Sequence, residues 1–229
     1  MCSRYFLDAE GNVIAYTFTV PVHERLKKRY NIAPTQQSPV VRIAADGTRE
    51  MAMLRWGLVP FWAKDLASGT KAINARSETA DEKPSFRNAF RKRRCVVPAS
   101  GFFEWKGEPG KKQAYAITVA DQPLFGMAGL WESWKSPEGE RIETYTILTT
   151  DASAEMAAIH DRMPVILPAT GVEAWLRAKP EDVRTLMKPY AGHLAIRPIG
   201  KLVGNPRNDT PAVLAPLEPQ APAVIPKGE

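Results

Sequence analysis

The chain has 229 residues, 44% of them hydrophobic and 24% charged, with a formal net charge of +6. These values exclude a wholly disordered chain, a collagen and a coiled coil, and they fit one large domain. Only Cys2 and Cys95 are cysteines, so no disulfide framework is expected and a reducing cytoplasm is the expected compartment. No run nears the roughly 18 apolar residues of a membrane span. The charged start, with Arg4 and Asp8, is not that of a secretory signal.

In chain order the pattern is strand-rich. Tyr5-Phe6-Leu7 comes first. Short apolar or alternating segments follow at Val40–Ile43, Met51–Leu58, Lys71–Arg76, Arg94–Val97 and Gly101–Trp105, bounded by Pro, Gly or Asp. Ala114–Val119, Phe125–Trp131, Thr144–Thr149, Val165–Leu167 and His193–Pro198 continue the series. Helices are few. His23–Tyr30 is predicted as one, and Ser85 is expected to cap a turn in which Phe86 meets Phe90 at i,i+4. Ser153–His160 places Met156 and Ile159 on one face, and Pro164 bars its continuation. Thr170 and Glu173 are spaced as a capping box for Gly171–Ala178, and Pro180–Met187 starts with Pro and stops before Pro189. Many short strands with short helices predict α+β rather than a βαβ series. The domain is expected to span residues 1–205. The Pro/Ala-rich stretch 206–229 reads as a disordered or loosely docked tail.

Two basic clusters stand out: Lys27, Lys28 and Arg29, and the denser run Arg87, Arg91, Lys92, Arg93 and Arg94. Each reads as a solvated face or as part of a nucleic-acid surface. No glycine-rich phosphate loop occurs, so no nucleotide cofactor is expected. His23, His160, His193 and the two cysteines lack metal-ligand spacing, so no metal is expected.

Cys2 is the most informative residue. Removal of the initiator methionine before a small residue leaves a free α-amine beside a thiol. An aldehyde can condense with that amine, and the thiol can close a five-membered thiazolidine. The alternative is a small buried cysteine. An α-amine is only about a tenth to a sixth neutral at pH 7 and a thiol only a few per cent ionised, so the chemistry needs a base. Alternation in Gly101–Trp105 puts Glu104 with Phe102 on one face and Phe103 with Trp105 on the other. Aromatic neighbours would desolvate Glu104 and raise its pKa into a useful range; otherwise it is an exposed edge residue. His160, beside Asp161 at a helix end, is a candidate general acid or a capping histidine. Asn74 and Arg76 share a strand face and could position a polar substrate and a phosphate. Trp56 and Trp105 are core residues or stacking platforms for bases.

Seven blocks in order resemble the SRAP family (SOS-response-associated peptidase), the abasic-site processing proteins. They are Met1-Cys2-x-Arg4-Tyr5, Tyr30–Thr35, Arg55–Pro60, Ile73–Thr79, Arg93–Pro98, Gly101–Trp105 and His160–Pro164. Ser3 departs from the family's usual glycine. The resemblance implies an α+β domain with a mostly antiparallel, barrel-like β core, acting on abasic sites in single-stranded DNA as a monomer. It implies that Cys2 is the nucleophile forming a DNA–protein crosslink. Asn74 would hold Cys2 and the sugar, Glu104 would promote crosslinking and reversal, and His160 would assist sugar opening. Arg4, Arg76 and Arg162 are expected phosphate contacts, with Ser77, Trp56 and Trp105 completing the DNA surface. The competing expectations are a cysteine peptidase that releases its own Met1, an N-terminal-nucleophile amidohydrolase, and a non-covalent single-strand binder.

Overall fold

The computed structural model describes residues 2–217. Among them are thirteen strands. β1 (Arg4–Leu7), β2 (Arg29–Ile32), β3 (Gln37–Ile43), β4 (Arg49–Trp56) and β5 (Asn74–Arg76) fall in the first third. β6 (Arg94–Ala99), β7 (Gly101–Lys106), β8 (Gln113–Val119), β9 (Phe125–Lys135) and β10 (Arg141–Asp151) form the centre. β11 (Arg162–Pro164), β12 (Ile166–Leu167) and β13 (Leu194–Ile199) complete the set. Three short helices intervene: α1 (Gly11–Phe18), α2 (Arg87–Lys92) and α3 (Gly171–Arg177).

The strands β10-β4-β3-β6-β9 pair in that order, and β9 pairs back with β10. The ring is therefore closed and has no free edge. Only β10–β4 is parallel within it. Val40, Val41, Leu54, Val96, Val97, Leu130 and Ile147 are all fully buried in its core. A second sheet, β13-β8-β7-β1-β2, is antiparallel throughout. The chain passes from barrel to second sheet at Ser100-Gly101, where only a hydrogen fits. A Cβ on Gly101 would lie 2.4 Å from the Phe6 ring and 2.6 Å from the Ile117 carbonyl. The α+β, barrel-centred architecture agrees with the expectation.

Local departures have physical causes. Residues 23–30 form no helix: apart from Leu26 they offer no apolar stripe, and Arg29 and Tyr30 join β2 instead. The helix lies upstream, in α1, where Ile14, Ala15 and Phe18 are buried. The capping box does not form: Thr170 is itself helical (φ −69°, ψ −18°) and makes no side-chain cap, and Glu173 pairs with Arg49 and Arg177 instead. Ser85 does not cap α2 either. The β9–β10 hairpin runs well beyond the expected strands, turning at Gly139 (φ 91°). No helix among the described residues is long and apolar enough to cross a membrane.

The expected tail divides. Residues 218–229 lie outside the described residues. Residues 206–217 are docked: Val213 is buried, Pro216 bridges to Ile199, and Asp209 anchors the segment. Asp209 accepts the Tyr30 and Asn31 backbone N–H groups at 2.5 and 2.9 Å and pairs with Arg29. Asn31 returns the contact, donating Nδ2 to the carbonyls of Val203, Asn205 and Asn208. Proline-rich composition gave no sign of this, because one carboxylate supplies the anchor. Asp209→Ala strands two backbone donors and is expected to lower stability by about 2 kcal/mol or more, read from urea unfolding. An unchanged midpoint would show that Asp209 does not anchor the segment.

Candidate active site

β1 runs antiparallel to β7 with Arg4 opposite Phe103, so the chain preceding Arg4 continues past Glu104. Cys2 is there, fully buried. Asn74 reaches it from β5, donating Nδ2 to the Cys2 carbonyl at 2.7 Å. Its Oδ1 is buried and has no partner among the described residues. Asn74 is itself placed by β10, since β5 pairs parallel with it and Asn74 stands opposite Ile147. The Cys2 thiol donates to the Arg4 carbonyl at 3.6 Å.

Glu104 is 3% exposed, and its strand alternates as expected: Phe102 joins the main core while Phe103 and Trp105 pack in a smaller one. Burial raises the Glu104 carboxyl above its ordinary value, and His160 opposes that rise. Burial, and then the Glu104 charge, push the Cys2 thiol up. A buried acid and a buried thiol therefore interact, each favouring its protonated form.

His160 lines a cleft of about 410 Å³ with Ser3, Arg4, Glu104, Trp105, Lys112 and Gly204. Its Nδ1 accepts the Arg162 backbone N–H at 3.0 Å and also lies 2.8 Å from an Asp161 carboxylate oxygen. The first contact needs a lone pair and the second a proton, so they are alternatives. When Nδ1 accepts, the neutral ring carries its proton on Nε2. Arg4 brings a guanidinium to the same cleft. Its Nη1 donates to the Ser3 carbonyl at 2.9 Å, its Nε is buried without a partner, and it forms no ion pair among the described residues. Such an uncompensated cation invites an anion.

The other five expected DNA contacts stand differently. Arg76 is exposed at the end of β5, two residues from Asn74 and on its face. Trp105 is half-buried at the cleft wall. Trp56 is not a stacking platform: it is fully buried, its indole N–H donates to the Ile73 carbonyl at 2.8 Å, and Tyr5 and Tyr145 cover its ring. It supports the strand that carries Asn74. Arg162 is also committed, to Glu78 through two bonds of 2.8 Å, to Asp151 at 2.6 Å and to the Thr149 carbonyl at 2.7 Å. Arg162 is thus paired with two carboxylates beside the turn that bears His160. Ser77 is buried at the end of β5, its N–H bonded to the Thr149 carbonyl.

Sequence reasoning missed Lys112 and Gly204. Lys112 follows the Gly101–Trp105 motif closely, which is the one signal that pointed to it. Gly204 comes from the segment that Asn31 and Asp209 hold. No group of three or more His, Cys, Asp or Glu side chains that could hold a metal occurs among the described residues.

Removing the negative charge beside Cys2 has a defined sign. Glu104→Gln, in a Cys95→Ala background, is expected to move the pH profile of thiol alkylation to lower pH. An unchanged profile would show that the two groups do not interact.

The profile of the family described as SOS response associated peptidase (SRAP) matches residues 1–206. The abasic site processing protein YoqW of Bacillus subtilis is 40% identical over 224 residues, covering 93% of this chain and 99% of that one. The abasic site processing protein HMCES of Gallus gallus is 36% identical over 227 residues, covering 85% and 68% respectively. Among solved structures, a Bacteroides thetaiotaomicron protein superimposes with a TM-score of 0.85 at 29% identity, covering 95% of this chain and all of that one. A Bordetella bronchiseptica protein does so with 0.77 at 32%, covering 87% and all. With the sequence profile running through every strand of the barrel and the N-terminal cysteine at its start, the chain belongs to the SRAP family.

Proposed function

We propose that this protein processes abasic sites in single-stranded DNA by capturing them covalently on the mature N-terminal Cys2. The observation that carries the reading is the convergence of Cys2, held by Asn74, with buried Glu104, beneath a cleft that His160 and Arg4 line. The named relatives are abasic site processing proteins, which fits this chemistry.

The steps balance as follows. An abasic deoxyribose is mostly a closed hemiacetal; His160, acting as an imidazolium, gives its Nε2 proton to the ring oxygen as the C1–O ring bond breaks, and the anomeric hydroxyl gives its proton to solvent, leaving the aldehyde and a neutral ring. Loss of Met1 frees the Cys2 α-amine. The Asn74 Oδ1, which has no partner among the described residues, would accept a hydrogen bond from that amine. The amine adds to the aldehyde carbon, and water leaves to give an imine. Glu104 takes the thiol proton, sulfur adds to the imine carbon, and the nitrogen is protonated. The net change is aldehyde plus aminothiol to thiazolidine plus one water. The same carboxyl, returning its proton to sulfur, would drive reversal. Burial that keeps the thiol protonated suits this route and works against a peptidase, which needs a ready thiolate.

Exposed Arg76 and uncompensated Arg4 would hold the backbone on either side of the sugar. Such contacts position the strand without reading its sequence.

The test is a denaturing gel with an oligonucleotide bearing one abasic site. Wild type is expected to give a heat-stable adduct, and Cys2→Ala none. Glu104→Gln is expected to form it about 10²-fold more slowly. Because Glu104 must be ionised to accept the proton and its pKa is raised, the wild-type rate should fall on acidification at a pH above that of an ordinary carboxylate. That limb should vanish in Glu104→Gln. A Gln variant as fast as wild type would remove Glu104 from the chemistry.

A further inference from the structure

A second cleft, of about 700 Å³, lies where the start of β6 meets β3, β9, β10 and the end of α3. It shares no lining residue with the Cys2 cleft. Its cations include Arg42, Arg91, Lys92, Arg93 and Arg94, the last four being the densest basic run of the sequence.

The charges divide into a neutralised floor and a free rim. Arg42 is pinned by Glu50 at 2.7 Å, by Glu143 at 2.9 Å and by the Trp131 ring, 4.2 Å below its guanidinium. Among the described residues Glu50 and Glu143 are the only carboxylates lining the cleft, and both serve Arg42. Arg93 takes Glu132, just outside, at 3.1 Å. Arg94 is buried and bonds only carbonyls, those of Phe90, Trp175 and Ala178. Its charge is satisfied by dipoles but not cancelled. Arg91 and Lys92 are exposed and make no ion pair among the described residues. An open cleft with two free cations at its rim, a buried cation behind them and no spare carboxylate presents a net positive field.

We infer that this cleft is a second backbone-binding surface, which takes phosphates of the DNA strand flanking the lesion. The inference rests on the proposed function for the identity of the strand. The chemistry recognised is the phosphodiester, because rigid guanidinium and mobile ammonium groups line the cleft while Glu50 and Glu143 are both engaged by Arg42.

The experiment compares two oligonucleotides, each with one abasic site. One spans only the Cys2 cleft and the other carries a long single-stranded extension. Binding is followed on their undamaged counterparts and crosslinking on the abasic ones. Wild type is expected to bind the long strand more tightly than the short one. In Arg91→Glu/Lys92→Glu that advantage should disappear, while short-oligonucleotide crosslinking stays at the wild-type rate. The slope of log affinity against log salt for the long strand should shrink by about 1.4, two phosphates' worth on a single strand. Arg91→Gln/Lys92→Gln should fall between. Both side chains are exposed, so the folded state should persist, and an unchanged melting temperature verifies it. A charge-reversed protein that keeps its long-strand advantage overturns the inference and leaves the cleft to an acidic polypeptide. Absence of a short-strand adduct in wild type would instead sink the proposed function.

Discussion

The N-terminal strand is clamped to the barrel by a buried triangle of hydroxyl groups, and the site depends on that clamp. Tyr5 bonds Ser38 at 2.8 Å and Tyr145 at 2.9 Å, while Ser38 and Tyr145 lie 2.5 Å apart. All three are fully buried, and each hydroxyl has partners inside the triangle. Trp56 packs edge-on against Tyr5 and stacks with Tyr145. These contacts join β1 to β3, β4 and β10. An N-terminal residue is ordinarily frayed. Here Cys2 sits three residues from a fully satisfied aromatic cluster, which holds this end of the chain in place.

The barrel places Asn74 by the same logic. β5 is only three residues long, yet it is stitched to β10 and braced from behind by the Trp56 indole. The second sheet delivers Glu104 from the other side. Two sheets thus bring an amide and a carboxyl to one cysteine, and burial gives that carboxyl its affinity for a proton. The C-terminal segment closes the arrangement, with Gly204 at the cleft edge and Asp209 holding it to β2. A site assembled from an N-terminus, two sheets and a late loop is rigid because each part is bonded to another.

Some of this was legible in the residues. The alternation of Gly101–Trp105 gave the facing of Glu104, because period-2 geometry leaves a strand little choice. Cys2 and Asn74 were legible from residue chemistry and the ordered blocks together. Trp56 was not, because a tryptophan beside an arginine reads alike whether its ring faces solvent or core. The ion pairs of Arg162 were hidden for a related reason: Asp151 meets it through the β10–β11 pairing, and Glu78 reaches it from beyond β5, 84 residues away. The docked segment at 206–217 was hidden for want of periodicity, since its anchor is a single aspartate rather than an apolar face.

The claim on which the account turns is that both the amine and the thiol of Cys2 are consumed. Mass spectrometry of the proteolysed adduct, treated with a thiol alkylating reagent before digestion, addresses it directly. The account predicts an adducted peptide that begins at Cys2, carries the sugar remnant and takes up no alkyl group. An adducted peptide that still begins at Met1, or whose Cys2 sulfur is alkylated, would contradict it.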